Sequence, residues 1–225
     1  MAPQFEYWKA VLNSGSSAGA IFLLDFRAPV WNEKQVPQSW HLSRVVLLYK
    51  KGDPADCGNY RPVCLLAAAY KIFAMVMLNR LLDGGADSRI SSTQYAFRKR
   101  HGTEDALHCT RRAVELAWAH RGGGLHMLAL DWRKAFDSIN PESLLQALRK
   151  FGVPEAFVKM VSSIYTDRSF VVADCGETSG RHRQLSGICQ GCPLSPFLFI
   201  IVMTVLMEQA RQELSQESQD AIGQH

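Results

Sequence analysis

The stretch "LALDWRKAFDSI", residues 128–139, decides the reading of this chain. An apolar run with period-two alternation, beginning at Leu125, leads straight into Asp131, and a phenylalanine, Phe136, follows five residues later. Alternation of this kind predicts a β-strand, "LHMLALD", released by the glycines at 122–124. A carboxylate at the end of such a strand stands at the lip of a sheet. There it can hold a hard cation such as Mg²⁺, which takes few protein carboxylates and completes its shell with water and substrate phosphates. Phosphoryl transfer asks little more of a protein than metal, positive charge and alignment. On spacing alone a second reading stands beside this one: Asp131 and Asp137 as turn and capping acids at a strand-to-helix junction.

Working outward, the segments on either side alternate between helix and strand signals. "SRVVLLYKK" is rich in β-branched and aromatic residues and reads as a strand ending in Lys50 and Lys51. The turn-rich "KKGDPADCGNY" follows, and then a helical stripe of Leu65, Ala69, Ile72, Phe73, Val76, Met77 and Leu81, stopped by Gly84 and Gly85. Thr103 caps a further helix running to about His120. Beyond Asp137, Asn140 as cap and Pro141 at the first helical position start "PESLLQALRKF", with basic residues in its last turn and Gly152 just beyond. Another helix follows from Pro154. "SFVVADCGETSGRHRQLSG" reads as a hairpin, and "FLFIIVMTVLM", at eleven residues, is a buried core segment too short to span a bilayer. The polar "RQELSQESQDAIGQH" reads as a frayed end. Before residue 36, Phe5, Trp8, Val11 and Leu12 at helical spacing and a second amphipathic segment, interrupted by Pro29 and closed by Pro37, predict a helical extension over residues 1–35.

Composition sets outer limits. The 225 residues are 47% hydrophobic and 20% charged, enough for one sizeable core. The formal charge of +4 is mild, but residues 44–112 hold twelve Lys or Arg against six Asp or Glu. This local excess suits a polyanion, and it equally suits a solvated basic face. Six scattered cysteines and an opening without a signal peptide predict reduced thiols and an intracellular setting, nucleus or cytoplasm. Cys189 and Cys192 form a CxxC with no second ligand pair at zinc spacing, so packing cysteines are the expectation.

Four blocks in order carry a family resemblance. "LALDWRKAFDSI" resembles the first catalytic block of reverse transcriptases. "VPQSWHLSRVVLLYKKGDPADCGNYRPVCLLAAAYKIFAMVMLNRL" resembles the finger region of the non-LTR (LINE-type) retrotransposon enzymes, "STQYAFRKRHGTEDAL" the block after it, and "GICQGCPLSPFLFIIVM" the block around a Gln-Gly turn. Together they cover most of residues 36–207. In the family the "YRP" block more often continues Ile-Ser, and Ala96 is more often Gly.

The resemblance implies an α+β fold of the fingers/palm type over residues 36–225, and the activity of an RNA-directed DNA polymerase. Its partners would be an RNA template, a DNA primer and deoxynucleoside triphosphates, its cofactor Mg²⁺ or Mn²⁺, with no membrane involved. By resemblance, Asp131 is the metal-binding and catalytic aspartate. Phe136 lies under the sugar of the incoming nucleotide and excludes a 2′-hydroxyl. Asp137 is then a structural acid at the turn, bonded to nearby backbone. Arg61, with Lys50 or Lys51, clasps the triphosphate as a fork of donors and a point charge. Gln190 and Gly191 form the turn against the template base and the nucleotide. Pro193 and Pro196 bend the chain into the apolar helix.

The family also uses a Tyr- or Phe-Ala-Asp-Asp turn downstream of the Gln-Gly block, and this sequence contains no Asp-Asp pair. After Gln190 its one Asp is Asp220. The expectation is therefore a fingers and partial palm fragment ending before the palm hairpin that carries the second carboxylates, and inactive alone. Two rivals stand beside the polymerase reading: a catalytically dead nucleic-acid-binding remnant, and a non-functional truncated product.

Overall fold

Strand β1, Leu42–Tyr49, changes character halfway along. Ser43 and Val45 point into the protein, whereas Leu47, Leu48 and Tyr49 are exposed. The computed structural model describes residues 30–222 apart from 121 and 175, with side chains to residue 214. The helical extension expected over residues 1–35 lies, up to residue 29, outside the described residues. Val30, in its described end, and Val36, just after it, are buried in the core.

β1 is the centre of a five-stranded sheet. On one side it pairs antiparallel with β2, Tyr60–Leu65, in a register that sets Leu48 opposite Arg61 and Tyr49 opposite Tyr60. On the other it pairs parallel with β3, Ser169–Asp174, Val45 opposite Val172. A parallel neighbour requires a long crossover, and here the crossover carries four helices. The far edge of β3 is shared by two short antiparallel strands, β4, Glu177–Thr178, and β5, His182–Arg183. The expected hairpin is thus present.

The helices are α1, Ala68–Asp83; α2, Thr103–Ala119; α3, Pro141–Phe151; α4, Glu155–Tyr165; and α5, Ser195–Ile222. Each boundary has a local cause. Asn140 Oδ1 accepts from the amides of Glu142 and Ser143, Pro141 opens α3, and Gly152 closes it at φ +85°. α2 is capped one residue earlier than expected, where the Asp105 carboxylate accepts from the Gly102 amide. α1 begins later than its apolar stripe suggested. Leu65 belongs to β2, where it pairs with Arg44, because β2 has ladder partners to bond and a helix start there would forfeit them. The polar end expected to fray continues α5 to Ile222.

α1, α3, α4 and the first half of α5 bury one continuous core. Ala74, Met77, Leu144, Leu148, Val158, Met160, Val161, Leu198, Ile200 and Ile201 are each fully buried within it. Trp40 joins the core edge-on to Tyr70, with ring centroids 5.5 Å apart. α2 buries none of its residues. Among the described residues, no helix is long and apolar enough to cross a membrane. The mixed α+β architecture is the one expected.

The strand expected at "LHMLALD" is the clear departure. Residues 123–132 enter no sheet, and Leu125, Met127, Leu128, Leu130 and Trp132 are all exposed, Leu128 by 82%. The alternation is real, but no strand among the described residues lies alongside to accept its hydrogen bonds, and an isolated strand has nothing to stabilise it.

Candidate functional site

The site is built on the turn at Gln190 and Gly191. After β5 the chain runs back along residues 136–139: the amide of Gly187 donates to Ile139 O at 2.7 Å and that of Ile188 to Phe136 O at 2.8 Å. Gly187 has φ +89°, and a Cβ there would sit 2.9 Å from Asp137 Cα, so only glycine allows the approach. Three residues on, Cys64 in β2 donates its amide to Gln190 O at 2.9 Å. Gly191, at φ +109°, lies so close that a Cβ would meet Cys64 O at 2.9 Å. Blocks separated by more than a hundred residues are thereby locked together by backbone contacts.

Gln190 is held at both ends. Its carbonyl is bonded to Cys64, and its side-chain Nε2 donates to Asp137 Oδ1 at 3.0 Å. Asp137 is therefore not bonded to nearby backbone, as expected from its place before a helix; it orients the side chain of Gln190. Nothing in the sequence linked positions 137 and 190, because the contact exists only once Gly187 has brought the two loops together. Ser186, also missed, donates from Oγ to Asp137 O at 3.1 Å. Beside this turn is a cavity of about 220 Å³, lined by Val45, Pro62, Cys64, Asp137, Cys189 and Gln190 among others.

The finger cations sit at the exposed end of the β1–β2 hairpin. The connecting loop is fastened by its own polar groups: Asp53 Oδ1 accepts from Ala55 N, Asp56 Oδ1 from Gly58 N, and Tyr60 Oη donates to Pro54 O. Lys50 N bonds Asn59 O at 2.8 Å, which places Lys50 one step beyond the Tyr49 and Tyr60 pair. Lys50, Lys51 and Arg61 are all exposed, and none forms an ion pair among the described residues. Three unpaired cations at the tip of a stiff hairpin suit an anionic ligand better than a structural role.

The basic triplet at residues 98–100 divides differently. Arg98 is 9% exposed in its side chain and bonds Asp87 Oδ1 and Oδ2 and the carbonyls of Asp87, Ser91 and Gln94. It is a structural clamp, leaving Lys99 and Arg100 for solvent or ligand.

Asp131 is exposed and enters no ion pair among the described residues. The turn after it is closed by Ser138, whose amide and hydroxyl both bond Lys134 O, with Lys134 at φ +51°. This turn aims Phe136 inward. Its ring stacks on Phe199 at 5.1 Å and 11°, and meets Phe97 edge-on at 6.1 Å. Phe136 is thus half-buried and pinned between α5 and the loop before α2. As a hard oxygen donor Asp131 fits Mg²⁺ as one protein carboxylate, the remainder of the shell falling to water and substrate phosphates. Among the described residues there is no cluster of three His, Cys, Asp or Glu side chains able to hold an ion by themselves.

The arrangement therefore presents a fixed glutamine turn, a half-buried aromatic, an exposed carboxylate and a hairpin of free cations. Comparison with known proteins shows the family. Residues 49–221 match the family model described as reverse transcriptase (RNA-dependent DNA polymerase). The chain is 30% identical over 169 residues to the "RNA-directed DNA polymerase from mobile element jockey" of Drosophila melanogaster, covering 73% of this chain and 18% of that one. It is 30% identical over 182 residues to the "Retrovirus-related Pol polyprotein from type-1 retrotransposable element R1" of Bradysia coprophila, covering 78% and 17%. To the R2 polyprotein of Nasonia vitripennis it is 30% identical over 176 residues, again covering 78% and 17%. The chain spans less than a fifth of the length of these relatives. With three quarters of its length matched to one family model, the chain belongs to the reverse transcriptases, of the type encoded by non-LTR retrotransposable elements.

Proposed function

We propose that this chain is the nucleotide- and template-binding part of an RNA-directed DNA polymerase, working inside the cell, in nucleus or cytoplasm. Its substrates are deoxynucleoside triphosphates, its partners an RNA template and a DNA primer. Arg61 and Lys50 or Lys51 neutralise the β- and γ-phosphates from the hairpin tip. The Gln190–Gly191 turn supports the nascent base pair, Gly191 leaving its backbone bare. Phe136 sits under the sugar, where its ring occupies the volume a 2′-hydroxyl would need. Asp131 holds Mg²⁺, or Mn²⁺ in its place, which supplies charge neutralisation and activation of the primer 3′-hydroxyl for attack on the α-phosphate. The observation that carries the reading is Gln190 locked between Cys64 and Asp137, which sets the turn before any ligand arrives.

The test is binding of a labelled RNA–DNA template–primer by the chain, by fluorescence anisotropy with Mg²⁺, with and without the complementary deoxynucleotide. The nucleotide should tighten the complex. Arg61→Ala should weaken that tightening about tenfold, the equivalent of about 1.4 kcal/mol. Tightening that survives loss of Arg61, Lys50 and Lys51 together would contradict the assignment of the hairpin. A second reading, nucleic-acid binding without turnover, is favoured by the single free carboxylate at the site. Primer extension tests this second reading, on which the 225 residues bind and extend nothing. Extension abolished by Asp131→Asn would rule out the silent reading.

A further inference from the structure

Arg168 immediately precedes β3 and is 1% exposed. Its Nη2 donates to Ser43 Oγ at 2.6 Å, while Nε and Nη1 have no hydrogen-bond partner. No carboxylate pairs with it among the described residues. A buried cation in this condition is costly and calls for an anion. The groups around it are phenols and thiols: Tyr70, Tyr165 and Cys189 raise its proton affinity although burial works the other way.

The thiols form a pair. Cys64 and Cys189 line the same cavity, and the bond from Cys64 N to Gln190 O holds the two backbones side by side. Cys64 is half-buried and opens to the cavity; Cys189 is 1% exposed behind it. The two differ as proton acids. The Cys189 thiol beside it lowers the Cys64 pKa, assisted by Arg168 and opposed by burial and by Asp137. Cys64 in turn, with burial, pushes Cys189 well up. Cys192, the other half of the CxxC, is held elsewhere, its sulfur 3.5 Å from Tyr70 Oη.

We propose that Cys64 and Cys189 are a thiol modification site, in which Cys64 attacks a small disulfide entering the cavity and Cys189 resolves the product into a Cys64–Cys189 bond. In the first step the Cys64 thiolate bonds one sulfur of the small disulfide, whose S–S bond breaks. The departing thiolate takes up a proton. In the second, Cys189 gives up its proton and its sulfur attacks Cys64 Sγ, displacing the remaining small thiol. Two protein thiols lose two electrons, and one small disulfide gains them as two thiols. Arg168 stabilises the thiolate in each step. The bond would fasten β2 to the residue before Gln190.

The experiment uses the whole chain and oxidised glutathione at neutral pH, with acid quenching, alkylation and peptide mapping by mass spectrometry. A Cys64–Cys189 linkage is the expected product, formed at least severalfold faster than any adduct on the exposed Cys57. In Cys189→Ser the reaction should stop at one glutathione on Cys64, and in Cys64→Ser Cys189 should stay unmodified. A Cys189–Cys192 linkage, or modification at Cys57 and Cys109 with Cys64 left free, would overturn the proposal. The wild-type map is decisive by itself, whatever the stability of the variants, and it is independent of nucleotide binding.

Discussion

Leu198 and Leu128 are the same residue in two apolar runs, yet Leu198 is fully buried and Leu128 is 82% exposed. The run at residues 187–201 is fastened at every few residues: Gly187 to Ile139, Ile188 to Phe136, Gln190 to Cys64 and Asp137, and then a helix packed on α3. The run at 123–132 has no such partner among the described residues, and its side chains face solvent. Local pattern states what a segment would bury if it met a surface. Whether it does so depends on a neighbour that the pattern cannot supply.

The largest contrast should come from the same substitution in both runs. Leu198→Ala should cost 2 to 5 kcal/mol, as buried leucines do, while Leu128→Ala should change stability by less than about 0.5 kcal/mol. Denaturant melts of the two variants measure this directly. Similar losses would mean that residues 123–132 are buried in solution. Next in size is Phe136→Ala, expected to cost about 3 kcal/mol because the ring stacks on Phe199 and closes on Phe97. A loss below about 1 kcal/mol would free Phe136 from the core.

Gly191→Ala sharpens the comparison from the backbone side. At φ +109° and 2.9 Å from Cys64 O, the new methyl should cost about 2 kcal/mol and loosen the turn. Gly122, also at positive φ (+77°) but with open space around it, should pay only the conformational part, about 1 kcal/mol. The smallest expected effect is at Asp87. The hydrogen bond from Arg98 holds its carboxyl below the usual range. The folded pKa is depressed, so the stabilisation is complete above about pH 4, the unfolded value, and is lost as pH falls through the folded one. Asp87 is 42% exposed, so solvent screens the pair and the loss should be about 1 kcal/mol or less. Asp87→Asn should remove that acid-side slope, and an unchanged slope would place its origin at another carboxylate.

Much of this was legible beforehand, because it rests on local chemistry. Asn140, Pro141 and Gly152 mark α3 by side chain and φ alone, and "SRVVLLYKK" marks β1 by composition. The four ordered blocks sufficed to indicate the family. Three features were not legible, and each depends on a distant partner. The stretch ending in Asp131 alternates like a strand but has no ladder. Arg98 is one of the twelve basic residues that sequence counts toward a polyanion or a solvated face, while Asp87 and three carbonyls enclose it. Asp137 meets Gln190 only because glycine at 187 lets two loops touch.

Amide hydrogen exchange on the intact chain tests most directly whether the Gln190 turn is preformed while the Asp131 stretch is unpaired. The amides of Cys64, Gly187 and Ile188, which donate to Gln190, Ile139 and Phe136, should exchange slowly, near the rate set by global unfolding. Those of residues 125–131 should exchange at close to the rate of an unstructured peptide. Protection across 125–131 matching that of Cys64, or rapid exchange at Cys64, Gly187 and Ile188, would contradict this division of the molecule.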